Sequence, residues 1–418
     1  MIKLRAVSFT FSFLVLTSLI FTGLVFGALD VLAQDQKVVG QMDVTDVVNS
    51  LLRKKVKLDT VTLLNKRPPG TLAVLPAAGY TPSTGFQYGL DVSGTRYFGD
   101  PQNTDLSIFD AYGALSTGGL ALLQVQHNVY TNGNKWNIQG SWNIGKTVML
   151  DHGIGTTGTD LGLFTLNYRF LKLSEYVYKE VFSNFYAGAG ISVNYYTKID
   201  NDPQVSSHPL SFNEEYSLLN NYSPKGYFAN GLVLNLQYNT RDQPYRPYRG
   251  MYVDFLLRMN RKWMGSEQSA VQMKTELRKY FSLSQKNPEH VLAYWLWASY
   301  LLKGSLPYLE LPGTGGDRDQ RTGRAYTIGR FKGPTFIYNE MEYRFPITRN
   351  KLLSGVAFVN VESASDQVNT ELFDYWELGA GGGLRILFNK HTRSNLCIDY
   401  GVGNFGSKGV FVGLNEVF

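Results

Sequence analysis

The stretch that decides the fold runs from residue 303 to residue 347 and reads KGSLPYLELPGTGGDRDQRTGRAYTIGRFKGPTFIYNEMEYRFPI. Its first part is rich in Gly and Arg and has no hydrophobic periodicity, which predicts a long loop. From Thr335 onwards, a mostly apolar face alternates with a face that carries charges. The two faces are, in turn, Ile337, Asn339, Met341, Tyr343 and Phe345, and Phe336, Tyr338, Glu340, Glu342 and Arg344. This alternation indicates a β-strand between two different environments, either core and water or lipid and a polar lumen.

The N-terminus predicts export. Residues 1–5 carry two positive charges, residues 6–29 are almost wholly apolar, and Val31-Leu32-Ala33 supplies the small residues of a cleavage site. These features are typical of a secretory signal peptide over residues 1–33. Because the apolar run is long, an uncleaved membrane anchor is the alternative.

The composition favours a membrane barrel over a soluble enzyme. Aromatic residues make up 14% of the chain and charged residues only 18%, and there are 42 glycines. No apolar run after Leu29 is long enough to form a membrane-spanning helix. Short alternating segments rich in Tyr and Phe fit a transmembrane β-barrel in the bacterial outer membrane. The net charge of +6 then concerns lipid headgroups or the lumen and not a nucleic acid.

Residues 34–67 are predicted to form a periplasmic arm that precedes the barrel. Val44–Leu52 is the one convincing amphipathic helical run, and Arg53-Lys54-Lys55 follows it. We interpret it as a short periplasmic helix or a mobile arm, with a partner-binding helix as the alternative. The arm is too short to hold a folded periplasmic domain of ordinary size.

Residues 68–418 are predicted to form an all-β transmembrane barrel of about sixteen antiparallel strands. The strands are expected at 71–80, 84–98, 105–116, 119–131, 134–146, 159–171, 182–197, 228–240, 249–263, 267–281, 290–302, 335–346, 351–363, 374–389, 393–403 and 409–418. With a periplasmic N-terminus, the three longest connections, 147–158, 198–227 and 303–334, all fall outside the cell. Long extracellular loops and short periplasmic turns are typical of such barrels. A β-sandwich gives no reason for the long connections to fall at one end of the strands.

The last residues also fit a barrel. GVFVGLNEVF ends on an aromatic residue, and alternation places Val410, Val412, Leu414 and Phe418 on one face. A terminal strand ending in Phe resembles the signal by which outer-membrane barrels are recognised for assembly, here Phe418, Leu414 and Val412. Alternation also places Glu416 on this lipid-facing side, where a charge near the interface costs roughly 0–1 kcal/mol.

Four segments in order resemble the BamA/TamA family of outer-membrane barrels, the bacterial surface antigen superfamily. They are TLAVLPAAGYTPSTGFQYGL, NTRDQPYRPYRGMYVDF, YTIGRFKG and NEMEYRFPI, and the likeness extends through SGVAFVNVES to the end. The short form, without periplasmic POTRA domains, resembles proteins from Bacteroidota.

The resemblance implies that the sixth extracellular loop folds inward and places an arginine in the lumen. Arg330 is expected to pair there with Glu342, beside Glu340. The motif reads Gly-Arg-Phe and not Arg-Gly-Phe, so Arg324 is the alternative equivalent. Asn360 stands where the family commonly has an aspartate. An amide can accept a hydrogen bond from the arginine but brings no negative charge to this contact between loop and wall. The cluster either fastens the loop inside the barrel or takes part in substrate handling.

Other charged residues are predicted to line the lumen: Asp91, Arg258, Lys274, Glu276, Arg278, Glu377 and Arg385. None of the five histidines has zinc-ligand spacing, and no nucleophile elbow or phosphate-binding loop is present. His127, on an apolar face, is the only candidate for a lipid-facing Ser/His pair, and a role at the membrane interface is favoured for it. We therefore expect no enzyme, no cofactor and no metal.

Three functions remain open. The first is assembly or insertion of outer-membrane proteins, through a weak seam between the first and last strands. The second is a pore or transport component with a charged lumen. The third is a structural or partner-docked barrel, such as a homodimer, whose edge pairs with another chain. The expected partners are outer-membrane lipid and other outer-membrane proteins.

Overall fold

The computed structural model describes residues 41–52, 70–81, 84–100, 102–156, 164–203, 210–366, 372–390 and 393–418. The predicted signal peptide, residues 1–33, lies outside these ranges, and so does most of the predicted arm.

Sixteen antiparallel strands form one sheet in which each strand pairs with its neighbours in the sequence. They are β1 Gly70–Thr81, β2 Gly85–Arg96, β3 Ser107–Ser116, β4 Ala121–Tyr130, β5 Trp136–Asp151, β6 Phe164–Phe182, β7 Phe185–Pro203, β8 Gly226–Asn239, β9 Gly250–Asn260, β10 Ala270–Ser282, β11 Val291–Gly304, β12 Thr335–Pro346, β13 Leu353–Ala364, β14 Glu377–Asn389, β15 Ser394–Gly403 and β16 Lys408–Leu414. The all-β class and the number of strands predicted from the sequence are confirmed.

Four strands end clearly away from their predicted last residues, and one of them is β5, which continues to Asp151. β6 continues to Phe182 and β7 to Pro203, through polar residues that the sequence pattern treated as loop. The ladder between them shifts register between Asn167 and Arg169, and Lys198 of β7 has a positive φ of 53°. β16 is shorter than predicted and ends at Leu414. Asn415 has a positive φ of 64°, so the chain leaves the sheet at this point.

Alternation along β12 separates the two faces of the wall. Glu340, Glu342 and Arg344 are buried, whereas Met341 and Tyr343 are exposed. Because the exposed positions are apolar, this face suits lipid, and the charged face points to the interior. The period of two in the sequence therefore corresponds to the two sides of the wall.

The two ends of the sheet meet without being joined. Some Cα atoms of β1 and β16 approach within 8 Å of each other. Yet, in the part of the chain that the structure describes, no register pairs β16 with β1, whereas every other adjacent pair forms a ladder. β16 has 7 residues and β1 has 12, so β16 cannot cover the full length of the β1 edge.

In the part of the chain that the structure describes, two α-helices lie outside the sheet. α1, Val44–Leu51, belongs to the predicted helical run, and Asp43 caps it in a reciprocal box with Asp46. α2, Phe212–Leu219, lies in the connection between β7 and β8 and is capped in the same way by Ser211 and Glu214. The sequence analysis missed α2, although Ser211 followed by Glu214 is a capping-box signal. Among the described residues, neither helix is long and apolar enough to cross a membrane.

Among the described residues, buried aromatic side chains form three clusters, and the two larger ones involve the connection between β11 and β12. One lies between β11, β12 and the connection 305–334, and includes Trp295, Trp297, Phe331 and Tyr338. The other lies among β6, β7, β8 and α2, and is formed largely by tyrosines. The connection 305–334, hereafter the long loop, contributes to both groups, so it occupies the interior of the barrel.

Candidate functional site

The long loop rests on a stretch of wall that glycines leave free of side chains. A Cβ atom on Gly401 would lie 2.4 Å from the carbonyl oxygen of Arg324, and one on Gly403 would lie 2.5 Å from the Tyr326 ring. A Cβ atom on Gly379 would lie 2.7 Å from that of Ala325. Glycine at these positions therefore lets the loop backbone approach β14 and β15 closely.

Arg324 is the centre of the site. Its guanidinium donates to both oxygens of Glu340, to Glu342 at 2.5 Å and to Asp399 at 2.9 Å. The same group lies 3.8 Å above the centre of the Phe358 ring. Burial lowers the pKa of Arg324, but the three carboxylates outweigh this effect and raise it well above its usual range. One loop residue thus binds β12 and β15 through charge-assisted hydrogen bonds.

Asp399 connects the site to β14, and Arg385 of that strand connects it to Glu416 after β16. Arg385 donates to Asp399 at 2.5 Å and to Glu416 at 2.7 Å. Glu416 also accepts from Asn395 at 2.9 Å and lies 3.4 Å from Arg246. Burial raises the pKa of Glu416, but its arginine neighbours outweigh burial and hold the pKa below its usual range.

Arg344 connects the same network to the last residue. It donates to Glu342 at 2.6 Å and to the Phe418 carbonyl oxygen at 2.8 Å. The Phe418 ring stacks on Trp295 with ring centres 5.2 Å apart. We call Arg246, Arg324, Arg344, Arg385, Glu340, Glu342, Asp399 and Glu416 the arginine cluster. The removal of one partner from such a buried network leaves a charge without compensation and is strongly destabilising.

The long loop also holds the end of β16 directly. The Arg321 guanidinium donates to the carbonyl oxygens of Leu414, at 2.8 Å, and of Glu416, at 2.6 Å. Farther along the loop towards β11, Arg318 donates to the carbonyl oxygen of Gly140 on β5 at 2.9 Å. The loop therefore contacts two separate parts of the wall through arginines that each bind the backbone.

The predicted lipid-facing positions of Glu416 and Phe418 are wrong. Both side chains are buried inside, with relative exposures of 5% and 2%. Val410 and Val412 are exposed on the outer face as predicted. The turn at Asn415 breaks the alternation, so the residues after Leu414 fold inward and gain charged and aromatic partners there.

The predicted pairing of Arg330 with Glu342 is also wrong, because Arg324 takes that position. Arg330 contacts Nδ1 of His152 at 3.0 Å and lies over the Phe405 ring instead. Asn360 is buried opposite Glu340 in the ladder, and neither of its side-chain polar atoms makes a hydrogen bond among the described residues. Sequence reasoning had left Arg324 and Arg330 as alternatives, and the hydrogen bonds decide between them.

A second set of contacts fastens the two ends of the long loop. Glu310 accepts from Arg258 at 2.6 Å and from Tyr196 at 2.5 Å. Burial raises the pKa of Glu310, but Arg258 and Lys172 outweigh it and lower the pKa to about 2. On the other side of the loop, Lys332 donates to Asp151 at 2.8 Å.

The residues predicted to line the lumen lie inside, but most are already engaged. Arg278 pairs with Glu276 at 2.5 Å, and Glu377 accepts from Asn404 at 2.7 Å. Arg258 and Arg385 belong to the contacts described above. Asp91 and Lys274 are half-buried and lie within electrostatic reach of Arg321 and Glu310, respectively. These charges therefore hold the loop and the wall together more than they line an open passage.

Sequence reasoning missed several residues of the site, among them Asp399 and Tyr216. Asp399 lies on the inward face of β15 together with Cys397 and Gly401, so the period of two would have placed it inside. Tyr216 of α2 donates to the carbonyl oxygen of Leu306 at 2.9 Å, which holds the start of the long loop. The capping box that begins α2 was the available signal.

His127 lies on the outer face, where it faces Glu175 at 3.4 Å across the glycine of the intervening strand. Trp142 donates to the same carboxylate at 2.5 Å. The contacts of His127 are thus to a carboxylate and an indole and not to a serine. Within the described ranges, no group of three or more His, Cys, Asp or Glu side chains could hold a metal ion.

The site defines a class of protein: a β-barrel with a lipid-compatible outer face, whose interior is occupied by a loop that an arginine fastens to acidic residues on the wall. The profile of the Omp85 superfamily domain matches residues 80–403. Because this match covers most of the chain, the protein belongs to the Omp85 superfamily of outer-membrane β-barrels. Among curated proteins, none matches the sequence.

Solved structures share the fold at low identity. BamA from Haemophilus ducreyi lacking POTRA domains 1–3 superposes with a TM-score of 0.53 at 12% identity, covering 84% of this chain and 70% of that one. CdiB from Acinetobacter baumannii gives 0.48 at 13%, covering 82% and 59%, and CdiB from Escherichia coli gives 0.49 at 10%, covering 84% and 62%. Since both CdiB scores lie below 0.5, the likeness to BamA alone supports the fold.

Proposed function

We propose that this protein resides in the outer membrane and assists the assembly of other outer-membrane β-barrels through the unjoined edge of β1. The observation that carries the proposal is the seam. β1 and β16 lie side by side without a ladder among the described residues, and β16 is too short to pair along all of β1.

An unpaired strand edge is a template for β-strand addition. Its free N–H and C=O groups can bind an incoming strand, and in a bilayer those groups gain more from a partner than they do in water. Leu72 and Val74 of β1 are exposed on the outer face, so a client strand added at this edge would continue the lipid-facing surface. The proposed client is therefore an unfolded strand with the same alternation.

The occupied interior argues against free passage through the lumen as the main activity. The long loop is fixed at Arg324, at Arg321 and at its base by Glu310 and Lys332. Opening a channel would require these buried ion pairs to separate, and breaking one by removing a partner costs about 3–5 kcal/mol. Among the described residues, no such ion pair joins β1 and β16, so separation of the seam breaks none there.

The test closes the seam reversibly with an engineered disulfide between β1 and β16. Double-cysteine variants carry one cysteine in place of Leu72 or Val74 and the other in place of Val410 or Val412, since Cys397 is buried and does not compete. The folded chain in liposomes should accelerate the folding of an unrelated urea-unfolded barrel. Oxidation should abolish the acceleration, and reduction should restore it.

The matched control is a cysteine pair at Leu236 and Phe255, which face each other in the β8–β9 ladder and are exposed on the outer wall. A disulfide there should leave the acceleration unchanged. No acceleration by the unmodified protein, compared with empty liposomes and an inert barrel, would contradict the assembly function.

A pore is the second candidate, and charged interior residues such as Lys274 and Arg278 favour it. In that case Arg324→Ala, which releases the loop, should raise the single-channel conductance in planar bilayers well above that of the unmodified protein. A docked homodimer joined at the β1 edge would show itself as a disulfide between two copies of the Val74→Cys variant.

A further inference from the structure

Helix α1 is attached to the barrel by its polar face. Its capping residues turn towards the connection between β14 and β15, where Asp43 accepts from the backbone N–H of Lys390 at 3.1 Å. The Lys390 ammonium donates to Asp46 at 2.8 Å. Asp43 and Asp46 are buried by this contact, so the charged start of the helix is its inner side.

The residues just before α1 extend the attachment to two more turns at the same end of the barrel. Gln41 donates to Glu289, in the connection between β10 and β11, at 2.9 Å. The backbone N–H of Met42 donates to the carbonyl oxygen of Asn350, between β12 and β13, at 2.9 Å. The start of the helix is therefore held at three successive short turns along the rim.

The opposite side of α1 is apolar, and it is exposed at Val48, Leu51 and Leu52. At 100° per residue, Val44, Val47, Val48, Leu51 and Leu52 fall on one arc of the helix, and Asp46 and Asn49 fall on the other. Val48 is 46% exposed, Leu51 78% and Leu52 62%. A helix on a soluble protein normally buries its apolar stripe and exposes its polar one, so this helix is oriented the opposite way.

We propose that this apolar face lies in the headgroup–acyl boundary of the membrane leaflet on the side of the short turns. Hence α1 would be an interfacial anchor that the barrel holds at the bilayer surface. Because apolar side chains gain free energy when they leave water, an apolar phase would stabilise the exposed face. The proposal depends on membrane insertion of the barrel and not on the assembly activity.

Two observations favour lipid as the occupant. The turns that hold α1 close strands whose outer faces are apolar, and Leu283 and Ile347, in the first two of these turns, are 56% and 51% exposed. The apolar face of α1 is thus held at the same rim as the apolar outer wall. In the sequence, Arg53-Lys54-Lys55 follows the helix, outside the described residues. Basic residues beside an amphipathic helix attract anionic headgroups.

The test uses the single native cysteine to advantage, because Cys397 is buried and leaves one added cysteine as the labelling site. Leu51→Cys and, as a second reporter, Val48→Cys are labelled with an environment-sensitive fluorophore. The control is Ser50→Cys, which is exposed but lies beside the apolar arc. Each folded chain is reconstituted in liposomes of phosphatidylethanolamine and phosphatidylglycerol.

Nitroxide-labelled lipid should quench the probes at Leu51 and Val48 at least threefold more strongly than the probe at Ser50, and aqueous iodide should show the reverse order. Equal access of iodide to all three probes would overturn the proposal, since the face would then be in water. Protection from both quenchers would also overturn it, because a protein, such as a second copy of this chain, would then cover the face.

Discussion

The wall from β12 to β15 and the edge between β16 and β1 are built from similar strands but are held together in different ways. Across β12, β14 and β15, Arg324 and Arg385 link buried carboxylates through short hydrogen bonds. Between β16 and β1, no ladder forms among the described residues. The interior contacts thus stabilise one side of the barrel and leave the seam to depend on weaker forces.

The long loop contributes to both regions. Arg324 fixes it to the stable wall, and Arg321, three residues earlier, holds the carbonyl oxygens at the end of β16. The position of the last strand is therefore set from the inside by the loop and not from the side by β1. A change in the loop should reach the seam through these residues.

The largest effect is expected from Arg324→Ala. It leaves Glu340, Glu342 and Asp399 buried with one positive partner fewer, so the free energy of unfolding should fall by about 3–5 kcal/mol. Urea unfolding, followed by the loss of compact gel mobility, measures this change. The matched variant Arg330→Ala removes no hydrogen bond from these carboxylates and should cost several-fold less. Equal losses in the two variants would refute the central position of Arg324.

A smaller effect should follow from adding a methyl group at a glycine of the wall that contacts the long loop. In Gly401→Ala, the new methyl group meets the carbonyl oxygen of Arg324, and overpacking of this kind costs about 1–3 kcal/mol. Gly413→Ala is the control, because a Cβ atom there meets nothing within 4 Å. Protease sensitivity of the long loop should rise for Gly401→Ala alone. If both variants behave alike, the close approach of loop and wall is not needed.

Removing the contact between loop and seam should have a local effect. Arg321→Ala frees the carbonyl oxygens of Leu414 and Glu416, so cysteines at Val74 and Val412 should form a disulfide at a rate altered at least twofold. Arg318→Ala, which loses the hydrogen bond to Gly140 on β5, should leave that rate unchanged. An unchanged rate in Arg321→Ala would separate the loop from the seam.

The smallest effect is expected when the pH is lowered, and it concerns cleavage of the long loop. The pKa of Glu310 is lowered from 4.5 to about 2, so its contribution to stability is complete above pH 4.5 and is lost as the pH falls towards 2. Pepsin should therefore cleave the long loop increasingly across this range. In Glu310→Gln, cleavage should already be faster at pH 4.5 and should depend less on pH. The same pH dependence in both proteins would show that another carboxyl group controls the loop.

The strands could be predicted because lipid and interior impose a period of two that the sequence records. Glu340, Glu342 and Arg344 were placed inside from alternation alone, and the structure buries them. The same period places Asp399 inside. Its pairing with Arg324 could not be predicted, because Arg324 lies in a loop that has no periodicity. Side-chain pairing in such a loop is set by tertiary contacts, which a single sequence does not record.

The end of the chain shows a second limit. Alternation over Val410, Val412 and Leu414 was correct, but it was extended through Asn415, where a positive φ reverses the pattern. Asparagine tolerates this conformation, yet most asparagines do not adopt it, so the residue alone gives no reliable signal. The burial of Glu416 and Phe418 followed from that one residue.

Hydrogen–deuterium exchange of the protein in liposomes tests the contrast between wall and seam most directly. Backbone amides of β12, β14 and β15 should be protected for hours, whereas those of β16 and the outer edge of β1 should exchange at least tenfold faster. Arg324→Ala should speed exchange in the wall as well. Uniform protection around the barrel, with β1 and β16 as slow as β12, would contradict a stable wall beside an unjoined seam.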